Sequence, residues 1–436
     1  MTTAGVRWAV LVVAAVGFAG LMNAPASGAD DDKKNPLREE LLKLNSVTGE
    51  DAQRDKLLAL VKDKEKAKKL VAEAGKMLKE SKGKENPFNF NGGMMVARLA
   101  HFNKQYDVAE PFYAYLVESA TKLKSGSKMV QAYDGLIDLY WDSKKYALAS
   151  ETCKNFLDDM GPEEYEQHKP FVMERLVQTT AKEGKFDDAL RLADLLVESG
   201  KESAWYFLQT KGWVLREQGK LPAAIEAYLS SLDKIDANPA LKGEVRDRFK
   251  DRTRYILTGL YVDNKEIDKA ARNLQTLIKR NPDNPTYKND LGFIWADNDM
   301  NLEESEKLIK EAIDLDKKEK EKLKKDGKLD EVKPNAAYLD SLGWVLFKQK
   351  KYKEALIPLK EAAADDEEGS HLEIWDHVAD CHMALGQKKE AIAAWQKALD
   401  MEDLSKRDAD RRTKIIAKLK AEGVEAKMPP KKPKKD

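Results

Sequence analysis

The 436-residue chain has only two cysteines, 24 glycines and 15 prolines, and its 76 Lys and Arg cancel its 76 Asp and Glu. Two cysteines cannot staple a chain of this length, which excludes a disulfide scaffold, and so little glycine excludes a collagen-like repeat. A formal net charge of zero argues against a strongly basic nucleic-acid binder, leaving room only for a local patch. Beyond residue 29 no apolar run reaches the roughly 20 residues of a membrane span. What is present is charge of both signs: 35% of residues are charged, against about 25% in ordinary globular chains, so the surface is well solvated. With 42% hydrophobic residues the chain still has enough apolar surface to fold rather than stay disordered. Abundant Lys, Glu, Ala and Leu favour helices.

Residues 1–29 stand apart from the rest. Arg7 provides a positive flank, Trp8 to Met22 carries no charge, and NAPASGA follows. Small residues at Ser27 and Ala29, with Ala24 and Ala26 as a competing pair, fit signal-peptidase cleavage. The apolar core of 15 residues is short for a membrane span, so an export signal is expected, with an uncleaved anchor as the alternative. No cysteine adjoins this boundary, which disfavours a lipid anchor. The mature chain is expected to begin near Asp30, to be soluble, and to be periplasmic or secreted.

Self-comparison of the remainder reveals a repeat. The segments GWVLREQGKLPAAIEAYLSSL (212–232), GLYVDNKEIDKAARNLQTLI (259–278), GWVLFKQKKYKEALIPLKEA (343–362) and CHMALGQKKEAIAAWQKAL (381–399) share one plan. Each is an apolar helix end, a short polar turn, and a second helix with a small residue at a fixed place. Those small residues are Ala109, Ala149, Ala189, Ala224, Ala270, Ser305, Ala355 and Ala391. Twelve residues upstream stand Ala97, Gly212, Gly343 and Ala379, and Gly292 stands thirteen before Ser305. Where two antiparallel helices cross closely, a large side chain holds them apart, so both need Gly, Ala or Ser. Tyr113, Tyr228, Leu274, Ile309, Leu359 and Trp395 lie four after the small residue, on the same helix face. The expected fold is all-α, a right-handed solenoid of antiparallel helix pairs. Cys153 and Cys381 would then sit six repeats apart, too far for a disulfide, and are expected to be buried small apolar residues.

The pattern resembles the tetratricopeptide repeat (TPR). Trp375, Val378, Ala379, Ala391, Trp395 and Ala398 match its large and small positions, as do Leu339, Leu342, Gly343, Tyr352, Ala355, Leu359 and Ala362, and Pro282 stands in register as a helix terminator. The resemblance spans about eight units over 93–400. The intervals between small residues are 40, 40, 35, 46, 35, 50 and 36, against a family period of about 34, which implies extended helices or inserted loops. Ala337 to Trp344 is similar to a segment that recurs in exported bacterial cell-envelope members of the family. The resemblance implies a non-catalytic scaffold or adaptor of the envelope, without a cofactor, that binds a peptide or partner protein. The family's carboxylate clamp is not matched, because Asp, Gln, Trp and Asn stand where Lys, Asn and Arg are needed.

The expected organisation is a signal peptide (1–29), a helical cap and loop (30–92), degenerate repeats (93–200), repeats (201–316), a charged insertion (317–333), two further repeats (334–400), a capping helix (401–426) and a basic disordered tail (427–436). Residues 51–81 read as one amphipathic helix with Leu57, Leu58, Val61, Leu70, Val71, Ala74, Met77 and Leu78 on its face, and NPFNFNGG (86–93) as a breaker-rich loop. The insertion reads as an overlong solvated helix that turns at Asp326-Gly327. The tail either solubilises the chain or touches an anionic envelope surface.

In a stack of this kind the first helices line a concave face. Residues three before and one after the small residue of each first helix should face inward: Gln209 and Trp213, Asn289 and Phe293, Asp340 and Trp344, Asp376 and Asp380. Aromatics beside acids suit a basic peptide with apolar anchors. Trp213 and Trp344 packed between neighbouring repeats are the competing reading, and self-assembly through an end repeat would be a third role for the surface. One competing chemistry deserves naming: His371, Asp376, His377, Asp380, Cys381 and His382 crowd into twelve residues and could form a metal-binding module or metal-dependent enzyme. On a helix, however, the pairs His377/Cys381 and Asp376/Asp380 point in different directions. No zincin, P-loop or nucleophile-elbow motif is present.

Overall fold

A computed structural model describes residues 35–81, 84–365, 371–401 and 405–428. The expected signal segment, and the tail from Pro429 on, lie outside these residues. The described residues are all-α, built from twenty α-helices and two short 3-10 turns without a strand. They group into two compact units that divide between Arg246 and Asp247.

The N-terminal unit opens with α1 (Pro36–Leu42), α2 (Glu50–Lys62) and α3 (Lys64–Glu80). Residues 51–81 are thus two helices rather than the single one expected. The break falls at Asp63, whose side chain accepts a hydrogen bond from Lys66 N at 2.9 Å and so begins a new helix. Leu58 is consequently exposed and Leu60 buried. Four antiparallel pairs follow: α4 (Phe90–Phe102) with α5 (Tyr106–Lys122), α6 (Gly126–Asp142) with α7 (Tyr146–Asp159), α8 (Pro162–Lys182) with α9 (Phe186–Ser199), and α10 (Ala204–Glu217) with α11 (Leu221–Ala237). The expected loop at 86–93 ends early, because Asn89 caps α4 by accepting from Gly92 N at 3.0 Å, which places both glycines inside the helix. Gly92 is needed there. A Cβ would reach to 3.2 Å from Asn45 N, and Asn45 ties the segment down by donating to Pro87 O at 2.8 Å.

The C-terminal unit contains most of α12 (Gly243–Asp263), then α13 (Ile267–Arg280), α14 (Pro285–Asp297), α15 (Leu302–Lys325), α16 (Ala336–Lys348), α17 (Tyr352–Ala363), α18 (Leu372–Ala384), α19 (Lys388–Leu399) and α20 (Lys406–Ala421). Asn284 and Asn335 cap α14 and α16 by accepting from Tyr287 N and Tyr338 N, each at 3.1 Å. Helix α15 continues through the charged stretch to Lys325 and stops at Asp326, where Gly327 takes a left-handed conformation.

The crossings obey the steric argument. Every small residue singled out in the second helices, from Ala109 to Ala391, is fully buried. A Cβ on Gly212 would stand 2.7 Å from the Tyr228 ring, on Gly292 2.7 Å from Ile309, and on Gly343 2.7 Å from Leu359 Cδ2 with Cγ closer still. In each case the obstructing side chain is the large residue four after the partner helix's small one. Both cysteines are buried free thiols. Burial pushes the Cys153 thiol up to about 12 and the Cys381 thiol to about 11, which leaves them unreactive.

Candidate partner-binding surface

Consecutive first helices lie side by side, so their inward residues accumulate on one face of each unit. In the N-terminal unit Trp141 of α6 and Trp213 of α10 belong to first helices two repeats apart, yet their rings are 6.3 Å apart. They meet across α8, so this face curves inward. Lys182 sits 5.4 Å from the Trp213 ring and Arg175 5.7 Å from that of Trp141, both from α8. Arg175 also pairs with Asp138, and Lys182 with Glu217. Gln209 is half-buried and donates to Ser231 Oγ at 3.1 Å, which fixes it against α11. Trp213 is half-buried and its indole remains part of the face.

The sequence reading missed Asp138, Trp141, Glu174, Arg175 and Lys182. Counting twelve back from Ala149 and Ala189 gives Ile137 and Val177, large residues at the place where Gly or Ala marks the clearer units. The same register rule would have placed Asp138 one after, and Glu174 three before. Glu174 accepts from Tyr206 at 2.8 Å and Thr210 at 2.9 Å, and burial raises its carboxyl above the ordinary range despite these bonds.

In the C-terminal unit the expected residues split into two groups. Asn289 is buried, donates to Asp290 at a long 3.4 Å, and leaves its own Oδ1 without a hydrogen-bond partner. Beside it Tyr255 donates to Asp290 Oδ2 at 2.7 Å. Phe293 of α14 lies 6.5 Å from His377 of α18, again two repeats on, so the first-helix side is the inner one here too. Trp344 is half-buried and stacks on His377 at 4.1 Å and on Phe347 at 5.0 Å, with Lys348 Nζ 5.3 Å from its ring and Nε1 donating to Asp297 at 3.2 Å.

Asp340, Asp376 and Asp380 are not open to solvent as a bare acidic patch. Asp340 is buried against His377, whose Nδ1 lies 2.9 and 3.1 Å from the two carboxylate oxygens. Burial of the imidazole works against its charge, but the charge and hydrogen bond of Asp340 outweigh it, so the ring is protonated more readily than ordinary histidine. Asp376 accepts from Trp395 Nε1 at 3.1 Å, Lys418 Nζ at 2.8 Å and Arg411 at 3.2 Å. Lys418 also spans both oxygens of Asp380 at 2.7 Å. The cations come from α20, the last of the described helices.

The expected ligand cluster at 371–382 disperses accordingly. His382 Nδ1 lies 2.6 Å from Gln387, Cys381 donates to Tyr352 O at 3.1 Å, and His371 accepts from Glu373 N at 3.3 Å. Among the described residues, no group of three or more His, Cys, Asp or Glu side chains is placed to hold a metal ion. What this face offers is stacking, apolar contact and charge.

Tetratricopeptide-repeat family models match residues 175–239 and 335–365. No curated relative matches the sequence. Similar solved structures include a tetratricopeptide-repeat protein of Parabacteroides merdae, at 14% identity and a TM-score of 0.45 over 70% of this chain and 98% of that one. Yeast Tom70 is similar at 13% identity and a TM-score of 0.48 over 78% of this chain and 66% of that one. A thermophilic tetratricopeptide-repeat protein of Thermus thermophilus follows at 17% identity and a TM-score of 0.36, covering 50% and 98% respectively.

Proposed function

From the premise that this chain is a tetratricopeptide-repeat protein, of a family whose general role is non-catalytic protein–protein scaffolding, we propose that it is an exported adaptor of the bacterial cell envelope. It holds a peptide or an exposed segment of a partner on the inner face of its first helices. The observation that carries this reading is the pairing of aromatic rings across repeats. Trp141 with Trp213, and Trp344 with Phe293 around His377, form half-buried aromatic ridges flanked by charges of both signs. Such ridges give large contact area at low entropic cost, as interface anchors do. The export half of the proposal is supported by Arg7, the uncharged stretch Trp8 to Met22 and the small residues that follow.

The test is in-cell cross-linking of the full chain in its source cells, followed by fractionation and mass spectrometry. Recovery in the envelope or exported fraction is expected. One or more partners should be captured about tenfold less by Trp213→Ala or Trp344→Ala at unchanged helicity. Recovery in the cytoplasm overturns the location, and capture indifferent to both substitutions overturns the inner-face reading.

A further inference from the structure

Helix α20 departs from what a simple end cap requires. Of its sixteen residues only Ile415 and Leu419 bury apolar side chains completely. Beside these two, its polar grip on α18 is ionic: Arg411 pairs with Glu373 and Asp376, and Lys418 with Asp376 and Asp380. Arg411, Ile415, Lys418 and Leu419 fall on one stripe at helical spacing, a basic amphipathic face turned onto the inner side of α18. At its N-terminal end Arg407 pairs with Asp263 of α12, so the helix reaches from the last repeat to the first helix of this unit. The helix is thus held by these ion pairs and a narrow apolar stripe, Ile415 and Leu419, rather than by the broad apolar face of a repeat helix such as α19. Burial and the neighbouring Asp376 keep the Asp380 carboxyl above its ordinary range even with Lys418 upon it.

We propose that the inner edge of α18 is a receptor for a cationic amphipathic helix of a partner protein, and that α20 is a resident copy of that ligand, displaced when the partner binds. This deepens the inner-face reading and rests on it: the partner class becomes a helix with Arg and Lys seven residues apart and apolar residues between and beside them. Binding is competitive, so the affinity seen from outside is reduced by the fraction of chains in which α20 is docked. The ion pairs make the exchange salt-sensitive.

The experiment uses the full chain and a fluorescent synthetic peptide of residues 405–428, followed by anisotropy in low salt. The Arg411→Ala/Lys418→Ala chain is expected to bind the peptide about tenfold or more tighter than the unaltered chain, and a peptide carrying Glu at both positions is expected not to bind. A second measurement does not depend on that variant folding. Hydrogen exchange of the unaltered chain should show residues 406–421 losing protection when excess peptide is added, while α4–α11 do not change. Equal peptide affinity for both chains, or unchanged protection at 406–421, overturns the proposal. A concentration-dependent dimer that exchanges α20 between copies also overturns it, because the occupant would then be a second copy. These readouts concern α18 and α20 alone, so their failure leaves capture through Trp213 and Trp344 standing, and loss of that capture leaves the peptide result unaltered.

Discussion

The indole of Trp344 and the imidazole of His377 lie face to face, 4.1 Å between centroids and 13° from parallel. The stack joins two successive first helices, and Phe347 continues it at 5.0 Å on the same helix as Trp344. Trp344 is therefore both packing between repeats and part of the inner surface; the two readings of it are not exclusive.

Trp344→Ala is expected to lower stability by about 2–3 kcal/mol, short of the roughly 3–5 of a fully buried aromatic, because the indole is only half-buried. Urea unfolding measures the loss. Far-UV circular dichroism at 25 °C should be unchanged, since no backbone hydrogen bond depends on the ring. A collapse of helicity would show that the indole holds α16 and α18 together outright.

Gly343 and Gly259 make a matched pair for the crossing argument. Both are helical, but a Cβ on Gly343 would meet fully buried Leu359, while a Cβ on Gly259 meets nothing within 4 Å. Gly259→Ala should stabilise by about 0.5–1 kcal/mol through helix propensity alone. Gly343→Ala gains the same propensity but incurs roughly 1–3 kcal/mol of overpacking, so a net loss is expected, and Gly343→Leu should unfold the unit. Thermal melts of the three variants decide it, and a higher midpoint for Gly343→Ala would refute the close crossing.

The hairpin turns supply a third prediction. Two residues before seven of the second helices the backbone is left-handed (before α15 it is Asp299 and Asn301 instead): Gly184, Gly219 and Gly386 adopt it freely, whereas Lys104, Lys144, Lys265 and Lys350 are held there at φ between 57° and 64°. A Cβ in this region is strained by roughly 1–2 kcal/mol, partly offset by the greater entropy glycine loses on folding. Lys350→Gly is thus expected to raise stability by about 0.5–1 kcal/mol, and Gly219→Ala to lower it. Denaturant midpoints at fixed salt give the comparison.

The crossings and their partners were legible because sterics is local in register: a small residue and the bulky one facing it recur at fixed spacing in the chain. The same register puts Asp340 and Trp344 on α16 and Asp376 and Asp380 on α18. What covers two of them was not legible, because Lys418 reaches Asp376 and Asp380 from 42 and 38 residues away and no periodicity connects α20 to α18. The inner face of the N-terminal unit was obscured differently. Ile137 and Val177 replace the small first-helix residues, so the close-crossing signature is missing there although Ala149 and Ala189 still set the register. At Asp63 a single capping carboxylate outweighed a continuous apolar stripe, which only the local geometry reveals.

Asp290 gives the clearest pH dependence. Burial raises its carboxyl, the hydrogen bonds from Tyr255 and Asn289 pull the other way, and the balance stands at about 6 against an ordinary 3.8. A folded-state value above the unfolded one means the native state binds the proton more tightly. The carboxyl's favourable contribution is therefore complete below about 3.8 and is lost as pH rises through 6. Asp290→Asn keeps the shape and an acceptor for the Tyr255 hydroxyl but does not titrate. Stability of the unaltered chain minus that of Asp290→Asn should fall between pH 4 and pH 7 and be flat above it. Paired urea titrations across that range read the difference directly, free of the background set by the other 75 acids. A difference that rises with pH would mean that Asp290 is stabilised as the carboxylate, and that an uncounted cation faces it.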